Sequence, residues 1–365
     1  MNRNWDVIII GGGPAGSTAA RYASKENISV LVIDGKKDIG EPLQCGELIP
    51  SVDELCRLCP DVPNMEDLFQ TPEHAISLRT DKLKLVPPSG KALEFPFEGI
   101  MLNRPEHDKA LIKLAKKEGV EYLIDTHVSK VIGNKVHTRK GDVFTGKVIL
   151  GCGGTNDPIR RDYWDEKSLN IPVKFMLIDG DYDDSSVELH FGSSAPGGYA
   201  WVFPKKGGAN IGLGIQKKYS KGISLNVYAE RFYSKFKGDV IYQGAGSLPM
   251  SGSVKSLVNG NKLIVGDSAG MVLPSNGAGI TTSMIGARIA GQVVAKHILD
   301  GLPLNEYEKI WNKQMGKIMR NSKRSLKMGS LLFRSPDFLV NLAFNRLTKR
   351  LLWRAVTCRA KFGIF

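Results

Sequence analysis

The stretch WDVIIIGGGPAGSTAARYAS, Trp5 to Ser24, decides the fold class. An apolar run ending at Ile10 reads as a short strand. Gly11-Gly12-Gly13-Pro14-Ala15-Gly16 follows, then a helical stretch from Ser17 to Ser24, then a second apolar strand, residues 28–33, closing on Asp34. The order is strand, G-x-G-x-x-G, helix, strand, acid. Gly11 suits a tight turn, Gly13 a close approach of backbone to pyrophosphate, and Gly16 the packing of helix on sheet. The N-terminus of that helix offers free N–H groups and a positive dipole end to phosphates. Asp34 is placed to accept from ribose hydroxyls. The pattern predicts a Rossmann-like dinucleotide site and leaves FAD and NAD equally open.

Working outward, the 365 residues suffice for two domains or one two-lobed unit. Hydrophobic residues make up 42% and charged residues 24%, which excludes a disordered chain. The 40 glycines, about 11% against a usual ~7%, cluster at 11–16, 151–154, 192–214 and 266–291 and predict several tight turns. No signal peptide and no transmembrane helix is evident, so an intracellular location is expected. Cysteines 45, 56, 59, 152 and 358 do not form a disulfide framework. Cys56-x-x-Cys59 leaves three readings open: incidental helix cysteines, a disulfide or redox pair, or a metal site. The six histidines show no ligand spacing.

A second motif lies in NKLIVGDSAGMVLPSNGAGITTSMIGARIAG, residues 261–291. A strand at 263–265 ends at Gly266-Asp267. A loop with Pro274, Asn276, Gly277 and Gly279 follows, and a long small-residue helix begins near Ile280. A helix N-terminus there can stabilise negative charge on a bound ring, and Asp267 can hold a polyol hydroxyl. The pairing of GxGxxG with this distant GDSAG…P…GxG resembles the FAD-dependent oxidoreductases of the p-hydroxybenzoate hydroxylase type. Asn103-Arg104-Pro-Glu-His-Asp108 resembles that fold's Arg-x-x-x-Asp helix start, which implies that Arg104 lies near the FAD phosphates. One departure is plain. Gly151-Cys152-Gly153-Gly154 stands where such enzymes carry Gly-Ala-Asp-Gly, so direct reduction by NADPH is not implied.

PGGYAWVFPK, residues 196–205, puts Tyr199, Trp201 and Phe203 on one face of a strand. Such a wall suits either a sheet core or an apolar chain lying on a cofactor. This element, the following GGANIGLGI and Gln44-Cys45-Gly46-Glu47 resemble the geranylgeranyl reductase family, across roughly residues 1–300. The resemblance implies saturation of isoprenoid double bonds, most typically in archaeal digeranylgeranyl glycerophospholipids. It implies Tyr199, Trp201 and Phe203 as substrate contacts, Cys45 and Gly46 beside the flavin, Cys45 as proton donor or positioning group and Glu47 as a proton relay. It leaves the electron donor open among ferredoxin, F420 and NAD(P)H. A same-fold aromatic hydroxylase or halogenase, a quinone-linked electron-transfer flavoprotein and a non-catalytic lipid-binding flavoprotein are the rivals.

The expected architecture is α/β: a Rossmann-like FAD-binding domain (1–75, 100–165, 255–300), a mostly antiparallel substrate sheet (76–99, 166–254) and a basic helical C-terminal segment (301–365). Residues 130–139 and 143–150 read as two strands joined at Lys140-Gly-Asp142. From Asn305 onward the chain carries 14 Lys and Arg against three Asp and Glu. Ser335-Pro336-Asp337 predicts a helix start. A continuous helix beyond it would align Val340, Phe344, Leu347, Leu351 and Cys358 on one stripe, with Arg346, Arg350 and Arg354 as a ridge beside it. This predicts either a docked helix with a solvated basic edge or a peripheral contact with the inner face of the cell membrane. No nucleic-acid motif accompanies the charge.

Overall fold

The computed structural model describes residues 3–25, 27–182 and 185–359. The end of the basic tail, residues 360–365, lies outside the described residues. Two eight-stranded sheets organise the chain. The first runs Val258–Asn259, Lys262–Ile264, Val143–Gly151, Asn4–Ile10, Val30–Ile33, Glu121–Leu123, with the hairpin Val128–Ile132/Lys135–Thr138 attached to Val143–Gly151. Its central pairs are parallel, and the opening strand lies between two others with Val7, Ile8 and Ile9 fully buried. Burial on both faces is why these strands read as apolar runs without alternation. The hairpin corrects the sequence reading: residues 130–139 are not one strand but turn at Gly133-Asn134.

Helices Pro14–Ser24 and Ile280–Asp300 pack side by side against the first sheet. They approach so closely that a Cβ on Gly291 would lie 2.5 Å from the carbonyl oxygen of Ala19. Glu306–Gly329 stacks outside them, burying Tyr307, Trp311, Met315 and Met319 in the same core.

The second sheet runs Val240–Pro249, Asn170–Asp179, Gly208–Gly214, Tyr199–Lys205, Ser186–His190, Ile76–Val86, Leu93–Leu102, Leu48–Pro50. Every pair is antiparallel except Ser186–His190 beside Ile76–Val86. Leu48–Pro50, within the stretch expected for the nucleotide-binding part, pairs here with Leu93–Leu102. The two faces differ. One carries Met176, Val202, Ile211 and Leu213 against helix Leu225–Tyr233. The other carries Val173, Phe175, Trp201 and Phe203 and packs with Phe344, Leu352, Trp353 and Val356 of the C-terminal segment.

The continuous helix expected after Ser335 does not form. Helix Asp337–Ala343 stops, and Lys349–Val356 starts anew. Asn345 and Thr348 break it: Asn345 Nδ2 donates to Leu342 O at 2.7 Å, and its Oδ1 accepts from Leu347 N at 2.7 Å. Thr348 Oγ1 donates to Ala343 O at 2.7 Å. These local side-chain bonds compete with the helical ladder. The predicted stripe is therefore split. Val340 and Cys358 are buried, while Leu347 is 95% exposed. Arg346 falls outside both helices, so no continuous arginine ridge exists.

Candidate active site

The glycine loop has the geometry its spacing requires. A Cβ on Gly16 would overlap the carbonyl oxygen of Gly11, whereas one on Gly13 would meet nothing within 4 Å, so the space before Gly13 is open for a ligand. Helices Pro14–Ser24 and Ile280–Asp300 both start on a glycine, Gly13 and Gly279, with no side-chain cap. Their first turns meet around Gly266, where a Cβ would lie 2.9 Å from Ala15 and 3.3 Å from Ser283. Two helix N-termini with free N–H groups thus converge, an arrangement that favours anionic ligand groups. Asp34 closes the loop by accepting from Gly12 N at 2.6 Å and Lys36 N at 2.7 Å.

Around this loop lie three further carboxylates. The Asp267 carboxylate meets no hydrogen-bond donor among the described residues, and burial, opposed by Arg104, pushes it up to about 6. An orphaned carboxylate beside two open helix ends fits a polyol hydroxyl from a bound dinucleotide. Arg104 makes a bidentate pair with Asp108 at 3.1 and 3.0 Å, and despite burial that pair helps hold Asp108 down at about 2. The acid missing at position 153 is replaced four residues later. Asp157 accepts from Gly153 N at 2.7 Å and Arg160 N at 3.0 Å, and burial pushes it up to about 6. Sequence reasoning passed over Asp157, although Asp-Pro at a helix start is a capping signal.

The aromatic strand meets the loop of residues 45–47. Tyr199, Trp201 and Phe203 follow one another at ring separations of 6.2 and 6.0 Å. Gly212, opposite Trp201 in the register, makes this possible: a Cβ there would overlap Trp201 Cζ2 and lie 2.6 Å from Phe175 Cβ. Tyr199 donates its hydroxyl to Asn276 O at 2.6 Å, tying the strand to the loop of residues 274–279. Phe203 packs over Gly46, whose Cβ would lie 3.2 Å from the ring.

Behind these rings sits a buried polar network centred on Glu47, which is 1% exposed at φ 68°. Its carboxylate accepts from Lys205 Nζ at 2.7 Å, Asn210 Nδ2 at 3.2 Å and Arg104 N at 3.3 Å. Asn210 also accepts from Trp201 Nε1 and donates to Cys45 O, both at 2.9 Å. Glu47 is thus an acceptor that fixes its neighbours. Cys45 lies beside Arg104 and Tyr199. Its Sγ accepts from Glu47 N at 3.1 Å, and burial pushes the thiol up against the pull of Arg104. Such a thiol stays protonated at neutral pH and has a proton to give.

A cavity of about 790 Å³ opens beside this cluster. Tyr199, Trp201, Gly277 and Pro274 line it on the site's side, Leu85, Val173 and Leu248 line its sheet wall, and Val340, Phe344 and Leu352 close it from the C-terminal segment. Phe203 is not among the lining residues; it lies behind them, against Trp201 and Gly46. Of the cysteine pair, Cys56 is exposed on helix Val52–Leu58 and Cys59 is buried at its end; both are free thiols.

The model of the geranylgeranyl reductase catalytic domain matches residues 168–246, the half of the second sheet holding the aromatic strand. A Rossmann-like NAD(P)-binding model matches residues 9–45. A digeranylgeranylglycerophospholipid reductase of Methanosphaera stadtmanae is 31% identical, covering 94% of this chain and 92% of its own. Another from Methanothermobacter thermautotrophicus is 32% identical over 90% and 88%. Among solved structures, a geranylgeranyl bacteriochlorophyll reductase-like protein of Thermoplasma acidophilum superposes with a TM-score of 0.82 at 24% identity, over 97% of this chain and 92% of that one. A flavin-dependent brominase shares the fold at a TM-score of 0.69 and 18% identity, over 97% and 94%. The chain belongs to the geranylgeranyl reductase family of flavin-dependent oxidoreductases.

Proposed function

We propose that this reductase holds FAD between the two sheets and saturates the isoprenoid double bonds of a digeranylgeranyl glycerophospholipid. The observation that carries the reading is the apolar cavity walled by Tyr199 and Trp201, with Trp201 Nε1 3.6 Å from where a Cβ on Gly46 would stand. Gly13, Asp34 and Arg104 would hold the phosphates and ribose, and Asp267, Gly277, Gly279 and Ile280 the polyol and ring. Bound there, the flavin supplies a hydride to one alkene carbon. The remaining demands fall on the chain itself. An isolated alkene has no carbonyl to spread charge, so a proton must be at hand for the second carbon. Cys45 carries it. Trp201, fixed by Asn210, holds the chain flat against the site, and Phe191, Phe344 and Leu352 exclude water.

The protein works at a membrane surface, on the inner face of the cell membrane. No helix among the described residues is long and apolar enough to cross a membrane. Instead Leu331, Phe338, Leu342 and Leu347 are 67–95% exposed on the segment that roofs the cavity, interleaved with Arg334, Arg346 and Lys349. Apolar tips among cations suit an anionic lipid interface.

The test is anaerobic. Flavin-loaded protein is reduced chemically, mixed with digeranylgeranyl glycerophospholipid, and followed by flavin absorbance and lipid mass. Reoxidation with a gain of about two hydrogens per saturated bond is expected, as two-electron reduction requires. A flavin that stays reduced beside unchanged lipid overturns the reading.

A further inference from the structure

The loop of residues 274–279 has the cofactor cradle on one side and the roof of the lipid cavity on the other. On the cradle side it leads into helix Ile280–Asp300, which starts on Gly279 without a side-chain cap. A Cβ on Gly279 would stand 3.5 Å from Asp267 Oδ1. On the roof side, Asn276 Nδ2 donates to Val356 O at 2.9 Å, and Ser275 Oγ meets Cys358 Sγ at 3.3 Å. Helix Glu306–Gly329 joins the same knot. Its Ser322 Oγ accepts from Ser275 N at 3.0 Å, and its Asn321 Nδ2 donates to Cys358 O at 3.0 Å. Residues 356–358 of the roof are therefore fastened to the loop by directed bonds.

Asn276 joins three parts of the molecule through three different atoms. Its main-chain oxygen accepts from the Tyr199 hydroxyl at 2.6 Å, its Oδ1 accepts from Ala278 N at 3.0 Å, and its Nδ2 holds Val356. The loop around it, Pro-Ser-Asn-Gly-Ala-Gly, has small side chains and little packing of its own. Gly277 turns it at φ 73°, where a Cβ would stand 3.1 Å from the Tyr199 hydroxyl. Ordering such a segment costs conformational entropy, and whichever partner orders it first leaves less for the next to order. A cofactor seated on the cradle side and a roof fastened on the other side therefore support each other.

We infer that Asn276 is a positioning residue that couples cofactor to roof: cofactor in the cradle holds the roof shut over the lipid cavity, and the fastened roof raises cofactor affinity in return. The inference rests on the reductase reading above, whose site it regulates. The coupling acts on affinity, not on the speed of entry, and linkage makes it reciprocal. The test uses no lipid. Amide exchange of residues 352–358 is followed in apoprotein and in FAD-loaded protein. Helix Leu225–Tyr233, on the other face of the second sheet, serves as the control for global stabilisation. FAD is expected to slow exchange of residues 352–358 about tenfold more than that of the control helix. Trp353→Ala removes the stack on Phe95 and so loosens the roof without touching the loop; it is expected to weaken FAD binding about fivefold or more. Asn276→Ser keeps a short acceptor for Ala278 N but does not reach Val356 O. In that variant FAD should slow roof and control helix to within about twofold of each other, and adding Trp353→Ala should no longer change FAD affinity.

A wild-type roof that FAD slows no more than the control helix overturns the inference. So does a slowing that survives Asn276→Ser. Asn276→Ser removes no apolar contact, so it keeps the test standing if Trp353→Ala does not fold. The anaerobic lipid reduction, run in parallel, separates the two readings. Lipid reduced by a protein whose roof ignores FAD sinks the coupling alone. A coupled roof on a protein that reduces no lipid sinks the reductase and leaves the coupling standing.

Discussion

Cys45 and Glu47, two residues apart, have opposite fates. Cys45 lies beside Arg104 and Tyr199 with a thiol that burial keeps protonated, while Glu47 turns inward and binds three donors. Cys45→Ala should lower the rate of reduced-flavin reoxidation by lipid about 10²-fold or more, with flavin content unchanged, because a positioned proton donor is lost. An undiminished rate would show that the proton comes from elsewhere. Glu47→Gln leaves the half-buried Lys205 without its charge partner and should cost about 1–3 kcal/mol in denaturant unfolding. Asp267 gives a pH signature. A carboxyl raised from 3.8 to about 6 binds more protons folded than unfolded between those values, so its contribution to stability falls as pH rises from about 4 to about 6. Asp108, lowered to about 2, acts in the opposite sense: its contribution is present above about 4 and fades as pH falls towards 2. Asp267→Asn should therefore raise the melting temperature of the flavin-free protein by a few degrees at pH 7 but not at pH 4, and weaken flavin retention. Equal shifts at both pH values would contradict the assignment.

The aromatic strand and its glycine-rich neighbour act as one element. The rings at 199, 201 and 203 lie beside glycine, glycine and asparagine in the paired register, so the wall is made by what is missing on the next strand. Gly212→Ala should displace the Trp201 ring and cost about 1–3 kcal/mol, the price of overpacking, with a larger KM for lipid; an unshifted tryptophan emission spectrum would refute this. The period-two aromatics were legible because alternation maps directly onto a strand face. The strand–glycine–helix loops were legible because close backbone approach restricts the residue type. The break between Ala343 and Lys349 was not. An apolar 3-4 spacing continues through it, and only the side chains of Asn345 and Thr348, bonding locally, override the pattern. The network around Glu47 was not legible for a related reason: a carboxylate near a cysteine looks the same in sequence whether it faces the site or the core.

At the scale of the whole molecule, the basic C-terminal segment does more than carry charge. Its inner face, Phe344, Leu352, Trp353 and Val356, completes the second core, with Trp353 stacked on Phe95 at 5.0 Å. Its outer face leaves Phe338, Leu342 and Leu347 exposed. The triple substitution Phe338→Ser/Leu342→Ser/Leu347→Ser should release the protein from anionic vesicles in a flotation assay while turnover of detergent-dispersed lipid is kept. Loss of both together would mean that these residues support the fold instead. The sequence showed the charge and the amphipathic spacing but not that one segment serves as roof and surface, because that depends on which strand it meets.

The loop of residues 274–279 is bonded on one side to Tyr199 and on the other to the roof, through Asn276 Nδ2 to Val356 O at 2.9 Å and Ser275 Oγ with Cys358 Sγ at 3.3 Å. Synthesis runs from the N-terminus, so both sheets and this loop emerge before the roof that fastens them. The nascent chain passes through a stage with a complete cofactor cradle and an uncovered greasy trough. On this ordering, cofactor contacts of the 274–279 loop are expected to form more quickly before the roof fastens that loop than afterwards. Holoprotein should accordingly form faster during translation with flavin present than by adding flavin afterwards.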